Sequence, residues 1–297
     1  MAINYIVNSL ILLNTIYCQP NSYKINDFLS PNSLGNGVSS LIVNGHPSPN
    51  RRFYVRVQFT NSVYMCGGAI IAPLWVITAA HCVLGKPEDI FLTVGDFHVR
   101  HSEKEIFKVV RIEKPEGYLL ESSGSLFNVT IKNDIAMLQL QRPISDRARI
   151  IPLCSSKLIH GSPVRTCGMG STNGRTFDFP DILHEAHFQT NDFESINPFI
   201  LNGIKKCRED QVCVQSPPTS TKSNICYLDD GGPLYTLQCG TGVADCLYGV
   251  ASYSKSKTRK GEKCNDGSYF SSVVHMHHWV KFVLTKFDLN SLFNYEH

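Results

Sequence analysis

The sequence predicts an all-β fold, built either as an antiparallel sandwich or as a pair of antiparallel barrels, with one helix near its end. Short apolar or alternating runs follow one another from Ile42 onward, and each is bounded by Gly, Pro, Asn or Ser, as strands usually are. These runs do not alternate with helical segments, so a parallel sheet is not expected. With 297 residues and 42% hydrophobic content, the chain can bury a large core in one two-part domain or in two small domains.

The predicted strands share an apolar or alternating pattern over a short stretch, which is the pattern of a buried or half-buried strand. In chain order they are FYVRVQF (53–59), GGAIIAPLWVITAA (67–80), DIFLTVGDF (89–97), KEIFKVVRIEK (104–114), DIAMLQL (134–140), CLYGVASY (246–253) and YFSSVV (269–274).

One run near the end, HMHHWVKFVLTKF (275–287), has a different period. Its large apolar residues fall at helical spacing and predict a packed terminal helix; they are Trp279, Phe282, Val283 and Phe287. The same run carries His275, His277 and His278. Because no carboxylate or cysteine cluster accompanies these histidines, a solvent-exposed face is expected, and no metal site is predicted.

The residues before Ile42 are predicted to be a signal peptide and a leader. Residues 1–18 contain an apolar run that ends near a small residue, as secretory signals do, so the protein is expected to be secreted. That run is too short to span a membrane, and no later segment approaches about eighteen apolar residues. The predicted boundaries are 1–18 for the signal peptide, 19–41 for the leader, 42–287 for the domain with halves at 42–153 and 154–287, and 288–297 for a tail.

Cysteine content and charge limit the classes of function. The eleven cysteines match no zinc-ligand spacing such as paired C-x-x-C, so disulfide bridges in a secreted protein are expected. Loss of Cys18 with the signal peptide would leave an even number. Asn128 starts the only N-x-S/T sequon and is a predicted glycosylation site. The net charge of +3 does not indicate a nucleic acid partner, and no cofactor is predicted.

Three motifs carry the chemistry: VITAAHC (76–82), NDIAMLQL (133–140) and CYLDDGGPL (226–234). Together, over about residues 42–285, they resemble the trypsin/chymotrypsin-like serine proteases, whose triad occurs in the chain order His, Asp, Ser. The resemblance implies two packed six-stranded antiparallel β-barrels with a C-terminal helix. It also implies that His81 is the general base and that Asp134 is the buried carboxylate that orients its imidazole. The alternative is that His81 and Asp134 persist as a structural polar pair.

The third motif departs from the family pattern at two positions. Asp230 stands where the family carries the attacking serine; its carboxylate has no proton to give, attacks amides poorly and should pair with His81 as an imidazolium. Leu228 stands where the family carries an oxyanion-hole glycine, and a branched residue there is expected to strain that backbone. Since triad members act as a unit, loss of the nucleophile should cost on the order of a million-fold in turnover.

Activation and substrate recognition also differ from the trypsin pattern that the resemblance implies. In that pattern, cleavage after a basic residue releases an amino terminus whose ammonium pairs with the Asp before the nucleophile, which is Asp229 in this chain. Leu41, and not Lys or Arg, precedes the sequence IVNG (42–45). Asp229 is therefore expected to lack its ammonium partner unless a protease cuts after Leu41. By resemblance, Asn224 forms the base of the primary pocket. Ser252 and Ser254 lie on its edge strand, and Gly267 lies on the opposite wall.

The disulfide pairing is also implied by the resemblance. The implied bridges are Cys66–Cys82, Cys226–Cys264, Cys207–Cys213 and Cys167–Cys239. The pairing of Cys18, Cys154 and Cys246 stays open, and Cys18 could be retained for Cys154.

The resulting hypothesis is a secreted, inactive homologue that binds protein partners in extracellular fluid as a decoy, cofactor or regulator. One alternative is an active hydrolase that uses Ser252 or Ser254. Another is an anionic glycan binder, because the loop 254–263 carries five basic residues against Glu262. The segment 117–130 before Asp134 is enlarged as well, which favours binding by surface.

Overall fold

The computed structural model contains two β-barrels followed by one helix. It describes residues 42, 45–49, 51–60, 62–95, 97, 104–122, 129–170, 182–191, 207–217, 223–226, 228–237, 244–254 and 268–293. The predicted signal peptide and leader, the predicted glycosylation site Asn128 and residues 255–263 of the basic loop lie outside these ranges.

All regular elements of the described chain are strands, apart from the terminal helix and two single 3₁₀ turns. In chain order the strands are β1 (His46–Pro47), β2 (Tyr54–Phe59), β3 (Met65–Ala72), β4 (Trp75–Thr78), β5 (Ile90–Gly95), β6 (Lys104–Glu113), β7 (Leu119–Ser122), β8 (Val129–Lys132), β9 (Ala136–Leu140), β10 (Pro163–Gly168), β11 (His184–Thr190), β12 (Gln211–Gln215), β13 (Pro233–Leu237), β14 (Ala244–Ser254) and β15 (Ser268–Ser272). The helix α1 spans His277–Phe293.

The first barrel closes in the order β2-β3-β4-β9-β6-β5, and every pairing is antiparallel. Alternation in the sequence decides which side chains point inward: in β5, Ile90, Leu92 and Val94 are buried, whereas Phe91 and Thr93 between them are partly exposed. This two-residue period is what one face of a pleated strand requires. Closure also leaves this barrel without an unpaired edge.

The second barrel has the order β11-β10-β13-β14-β15-β12, and β12 pairs back onto β11 to close it. The short strand β1 is added on β11, where His46 lies opposite Glu185. Ile42 is fully buried in the core of this barrel, in the same cluster as Phe188 and Phe270. The expectation of two six-stranded barrels and a C-terminal helix is confirmed.

The terminal helix packs on the first barrel through one stripe. Val280 and Val283 are buried in the core cluster that contains the interior of the first barrel, and Phe287 lies 5.9 Å from Trp75 between ring centroids. The spacing of Val280, Val283 and Phe287 places them on one helix face. Phe282 is 60% exposed, so its predicted place in the packed face is wrong: it lies about 100° around the helix from Val283 and faces solvent.

The disulfides differ in part from the implied set. Cys66–Cys82 and Cys207–Cys213 are bridged, and Cys226 is in a disulfide, although Cys264 lies outside the described residues. Cys154 pairs with Cys246. Cys167 is a free, fully buried thiol, which corrects the implied Cys167–Cys239 bridge; Cys239 is outside the described residues. Burial beside Glu185 raises the pKa of the Cys167 thiol well above its usual range, so it stays protonated.

A buried polar cluster around Glu185 ties the two barrels together. Arg51, which precedes β2, donates to Glu185 Oε2 at 2.9 Å, and Arg165 on β10 donates to Oε1 at 2.6 Å. The hydroxyl of Tyr235 on β13 also donates to Oε2. Burial opposes the charge, but these donors and His187 outweigh it and hold the pKa of Glu185 well below its usual range. The carboxylate is therefore ionised inside the fold.

Candidate active site

His81 and Asp134 meet at the ends of two neighbouring strands of the first barrel. His81 lies in a single 3₁₀ turn (Ala80–Cys82) just after β4, and the Cys66–Cys82 bridge anchors that turn to β3. Asp134 lies just before β9, which pairs with β4. The imidazole Nδ1 is 2.7 Å from Asp134 Oδ2, and the His81 backbone N–H donates to Oδ1 at 2.9 Å. This fixes the ring with Nε2 pointing away from the carboxylate.

Asp134 is 2% exposed, and the second barrel supplies hydrogen bonds that make its burial tolerable. Ser252 on β14 donates its hydroxyl to Oδ2 at 2.5 Å, and Ser271 on β15 donates to the Asp134 carbonyl at 2.7 Å. The resemblance places Ser252 on the edge strand of the pocket and does not indicate this contact. A buried carboxylate requires several donors, but only the strand order shows which serine provides them.

The turn that carries Asp230 is held across the barrel interface by its main chain. The Gly67 N–H donates to the Asp230 carbonyl at 2.7 Å, and the Gly231 N–H donates to Ala251 at 2.7 Å. Gly231 has φ of 78°, and a Cβ there would lie 2.3 Å from Thr78 Oγ1, so only glycine fits. Leu228 also takes a left-handed φ of 72°, which costs a branched residue about 1–2 kcal/mol. The backbone therefore keeps a glycine-like shape at Leu228 under strain.

Asp230 faces the free nitrogen of the imidazole. Its Oδ2 lies 3.7 Å from His81 Nε2, and the two side chains are 25% and 16% exposed. Burial opposes a charge on His81, but the hydrogen bond with Asp134 and the nearby Asp230 carboxylate outweigh it and raise the pKa of His81 to about 10. At neutral pH the site therefore holds an imidazolium between two carboxylates. An imidazolium has no lone pair with which to accept a proton.

Asp229 is a second unusual carboxyl group. It is buried, and it accepts hydrogen bonds from the backbone N–H groups of Gly170 at 2.9 Å and Cys226 at 3.0 Å. Burial raises the pKa of Asp229 well above its usual range, the two N–H groups act against that, and the neighbouring Asp230 adds to it. Within the described ranges no cation pairs with Asp229. Residues 41, 43 and 44, which surround Ile42, are outside those ranges.

The predicted pocket residues are only partly described. Asn224 is buried and Ser254 is half-buried at the end of β14, whereas Gly267 lies outside the described residues. The strand residue between Ser252 and Ser254, Tyr253, stacks on Tyr269 with centroids 4.7 Å apart. The edge of the predicted pocket is thus held by an aromatic pair.

A clamp that the sequence did not indicate positions the segment before Asp134. Arg208 forms two 2.8 Å contacts with the carboxylate of Asp210 and also donates to the carbonyl of Ile131. Asp210 accepts the backbone N–H of Asn133 at 3.1 Å. Asn133 itself takes a left-handed φ of 46°, which asparagine tolerates better than most residues. The second barrel therefore fixes the backbone on both sides of Lys132.

Comparison with known proteins identifies the family. The protein-family model described as Trypsin matches residues 42–280. The chain belongs to the trypsin family. Among similar curated proteins, the thrombin-like enzyme elegaxobin-1 of Protobothrops elegans is 34% identical over 248 residues, which cover 82% of this chain and 92% of that protein. Trypsin epsilon of Drosophila erecta is 26% identical over 245 residues, with coverage of 80% and 83%.

A solved structure described as human heparin binding protein matches the fold of this trypsin-family chain. It gives a TM-score of 0.62 at 23% identity and covers 82% of this chain and 97% of that one. At this identity the likeness supports the fold alone. Within the described residues, no helix is long and apolar enough to cross a membrane.

An apolar cleft of about 390 Å³ opens beside His81 in this trypsin-family chain. The side chains that line it come from the end of β2, the loop before β3, the turn after His81 and the paired strands β7 and β8; they include Phe59, Tyr64, Leu84, Leu120 and Ile131. Leu84 is 74% exposed and Leu120 is 44% exposed at its mouth. Solvent-exposed leucines at the rim of a concave site are typical of a binding surface.

Asp230→Asn is expected to lower the pKa of His81 by about 1 to 3 pH units, because it removes one of the two carboxylates that stabilise the imidazolium. NMR titration of the imidazole would measure this. Because the folded-state pKa of about 10 exceeds the ordinary 6.5, the stabilisation is complete below pH 6.5 and is lost as the pH rises towards 10. The variant should therefore lose less stability than wild type over that interval.

The control for this titration is Glu88→Gln, which removes an exposed carboxylate outside the site. It should leave the His81 titration unchanged. A His81 pKa that stays near 10 in Asp230→Asn would show that Asp134 alone holds the proton.

Proposed function

We propose that this chain is a secreted, catalytically inactive member of the trypsin family that acts by binding extended protein segments in extracellular fluid. The observation that supports this most directly is the Asp230 carboxylate 3.7 Å from His81 Nε2. A serine hydroxyl at that position would give its proton to a neutral imidazole, whereas here the imidazole is already protonated and the opposing group has no proton to give. The site therefore lacks both its nucleophile and its base.

The remaining geometry favours a retained binding role over a decayed site. Asp134 keeps its contacts with His81, Ser252 and Ser271, and the turn of Asp230 keeps its backbone bonds to both barrels. The apolar cleft adjoins this framework. An extended segment that places an apolar side chain in the cleft would bury the exposed part of Leu84 and Leu120. It would be held and not cut, as a decoy, cofactor or regulator of proteolysis would require.

An active hydrolase that uses Ser252 is disfavoured by the contacts of that residue. Its hydroxyl donates to Asp134 Oδ2, on the side of the carboxylate that faces Nδ1, and not to the Nε2 that would take its proton. Anionic glycan binding through the loop 254–263 remains a second proposal, supported by its five basic residues.

The test combines reactivity with binding. Purified chain, with and without treatment by several activating proteases, should show no labelling by a serine-directed phosphonate and no amide hydrolysis. In an immobilised hexapeptide library, the peptides that carry an apolar side chain should retain the same chain. Leu84→Gln should weaken that retention about tenfold, because burial of a leucine stabilises by about 1.5–3 kcal/mol.

Ile159→Gln is the matched control, since Ile159 is 75% exposed, close to Leu84 at 74%, but does not line the cleft. It should bind the library as wild type does. Labelling of any cleft serine in the wild-type chain would refute inactivity. Equal retention by wild type and Leu84→Gln would refute binding through the cleft.

A further inference from the structure

Three side chains on the outer face of the second barrel converge on one point away from the triad. His46 on β1 and Glu185 on β11 are directly opposed across the two strands, and His187 follows Glu185 by two residues on the same strand. Residues two apart on a strand share a face, so all three project from the same side of the sheet. Their ligand atoms lie within 4.8 Å of one another, and the rings of His46 and His187 are 5.0 Å apart.

We propose that His46, Glu185 and His187 form a binding site for a divalent first-row transition metal, with Zn²⁺ as the expected ion. Two imidazoles and one carboxylate are the nitrogen and oxygen donors that Zn²⁺ takes in protein sites, with a fourth position left for water. His46 is exposed, which leaves the ion a path from solvent. No sequence pattern predicts this site, because its histidines lie far apart in the chain and only the β1–β11 pairing joins them.

The two carboxylate oxygens of Glu185 have different neighbours. One accepts hydrogen bonds that orient the carboxylate, and the other lies beside the histidines. Oε2 is held from behind by Arg51 at 2.9 Å and by the Tyr235 hydroxyl, with Ser48 Oγ at 3.5 Å. Such outer contacts orient a ligating carboxylate and are a regular part of metal sites. Oε1 faces the histidines and lies 3.7 Å from His187 Nε2. Oε1 is therefore the carboxylate oxygen that faces the proposed ion.

A cation already occupies the position that the metal would take. Arg165 Nη1 lies 2.6 Å from Glu185 Oε1, and its side chain is 28% exposed, whereas Glu185 is fully buried. Arg165 can therefore swing into solvent while Arg51 keeps the carboxylate in place. Metal binding is an exchange in which the ion displaces the Arg165 guanidinium from Oε1, so Arg165 competes with the metal. Since Arg51 stays nearby, the site should bind Zn²⁺ less tightly than a site without arginine.

A second grouping, Cys66, His81 and Cys82, does not offer the same donors, because both sulfurs are joined in a disulfide. Metal at the β1–β11 site would instead join the first strand of the domain to the second barrel. It would add a link to the attachment of β1, whose strand pairing with β11 spans two residues.

Isothermal titration of the full chain with ZnCl₂, after removal of metals by a chelator, tests the proposal. Wild type should bind one ion at this site. His46→Ala and His187→Ala should each weaken binding at least as much as loss of a supporting contact does, about 10- to 100-fold. Arg165→Met, which removes the competing cation, should bind several-fold more tightly. Zn²⁺ should raise the Tm of wild type and not that of His46→Ala.

His278→Ala is the matched control, because it removes an exposed histidine from the helix α1. Its affinity should equal that of wild type. The absorption spectrum of bound Co²⁺ should change in His46→Ala and not in this control. Absence of Zn²⁺ binding, or binding that survives both His46→Ala and His187→Ala, would overturn the proposal. Unchanged affinity in Arg165→Met would overturn the exchange with the guanidinium.

Discussion

The double variant Asp230→Ser/Leu228→Gly is expected to react with a serine-directed phosphonate, whereas the wild-type chain is expected not to react. The new hydroxyl would replace the carboxylate that faces His81 Nε2, and the pKa of His81 would fall because one of its two negative neighbours is gone. The contact of His81 with Asp134 at 2.7 Å is already in place. The difference in turnover for a reactive substrate can reach the order of a million-fold, which is what loss of a triad nucleophile costs.

The single variant Asp230→Ser should be about tenfold less reactive than the double variant. Leu228 holds its left-handed φ of 72° against a strain of about 1–2 kcal/mol, so the turn leaves its reactive shape more readily than with glycine. His81→Ala in the double variant should abolish labelling. A double variant that stays unlabelled would show that Asp230 and Leu228 are not by themselves the barrier to reaction.

Glu185→Ala is expected to lower the free energy of unfolding by about 3–5 kcal/mol, as removal of one partner of a buried ion pair does. The substitution leaves the buried guanidinium of Arg51, which is 7% exposed, without its carboxylate. It also removes the acceptor of the Tyr235 hydroxyl in the second barrel. Urea denaturation of metal-free protein would measure the loss.

Glu105→Ala provides the comparison, because Glu105 pairs with Arg142 at the surface, where the two side chains are 20% and 45% exposed. Exposed pairs contribute about 0–1 kcal/mol. Losses of similar size in the two variants would show that the cluster around Glu185 does not join the barrels energetically.

Short-range patterns in the sequence predict the strands, whereas the two barrels and the roles of His81 and Asp134 are implied by the resemblance of three motifs to the trypsin/chymotrypsin-like family. Alternating residues in DIFLTVGDF place Ile90, Leu92 and Val94 inside, and the structure confirms that strand. Each of the three motifs is a continuous stretch of sequence, so its residues can be assigned before the pairing of the strands is known. The substitution of Asp230 for the family's serine is visible in the sequence alone, because the neighbouring Gly231 and Gly232 align the motif with the family pattern.

The features that sequence reasoning missed depend on which strands become neighbours. Ser252 contacts Asp134 across 118 positions, and Cys154 pairs with Cys246 across 92. Cys167 lies beside Tyr235 and remains a thiol, which its spacing from other cysteines does not reveal. Phe282 shares the helical period of its neighbours but lies on the solvent side of the stripe. Each of these depends on tertiary packing that local periodicity does not encode.

The bond from the Gly67 N–H to the carbonyl of Asp230 has a consequence for how such a chain can arise. Peptide groups on both sides of the interface shape this turn, and they are the same for any amino acid at that position. The shape of the turn therefore does not depend on the side chain at position 230, although the carboxylate there adds to the stabilisation of the His81 imidazolium. The fold can thus hold either a hydroxyl or a carboxylate opposite His81 Nε2 without a change in the path of the chain through this turn.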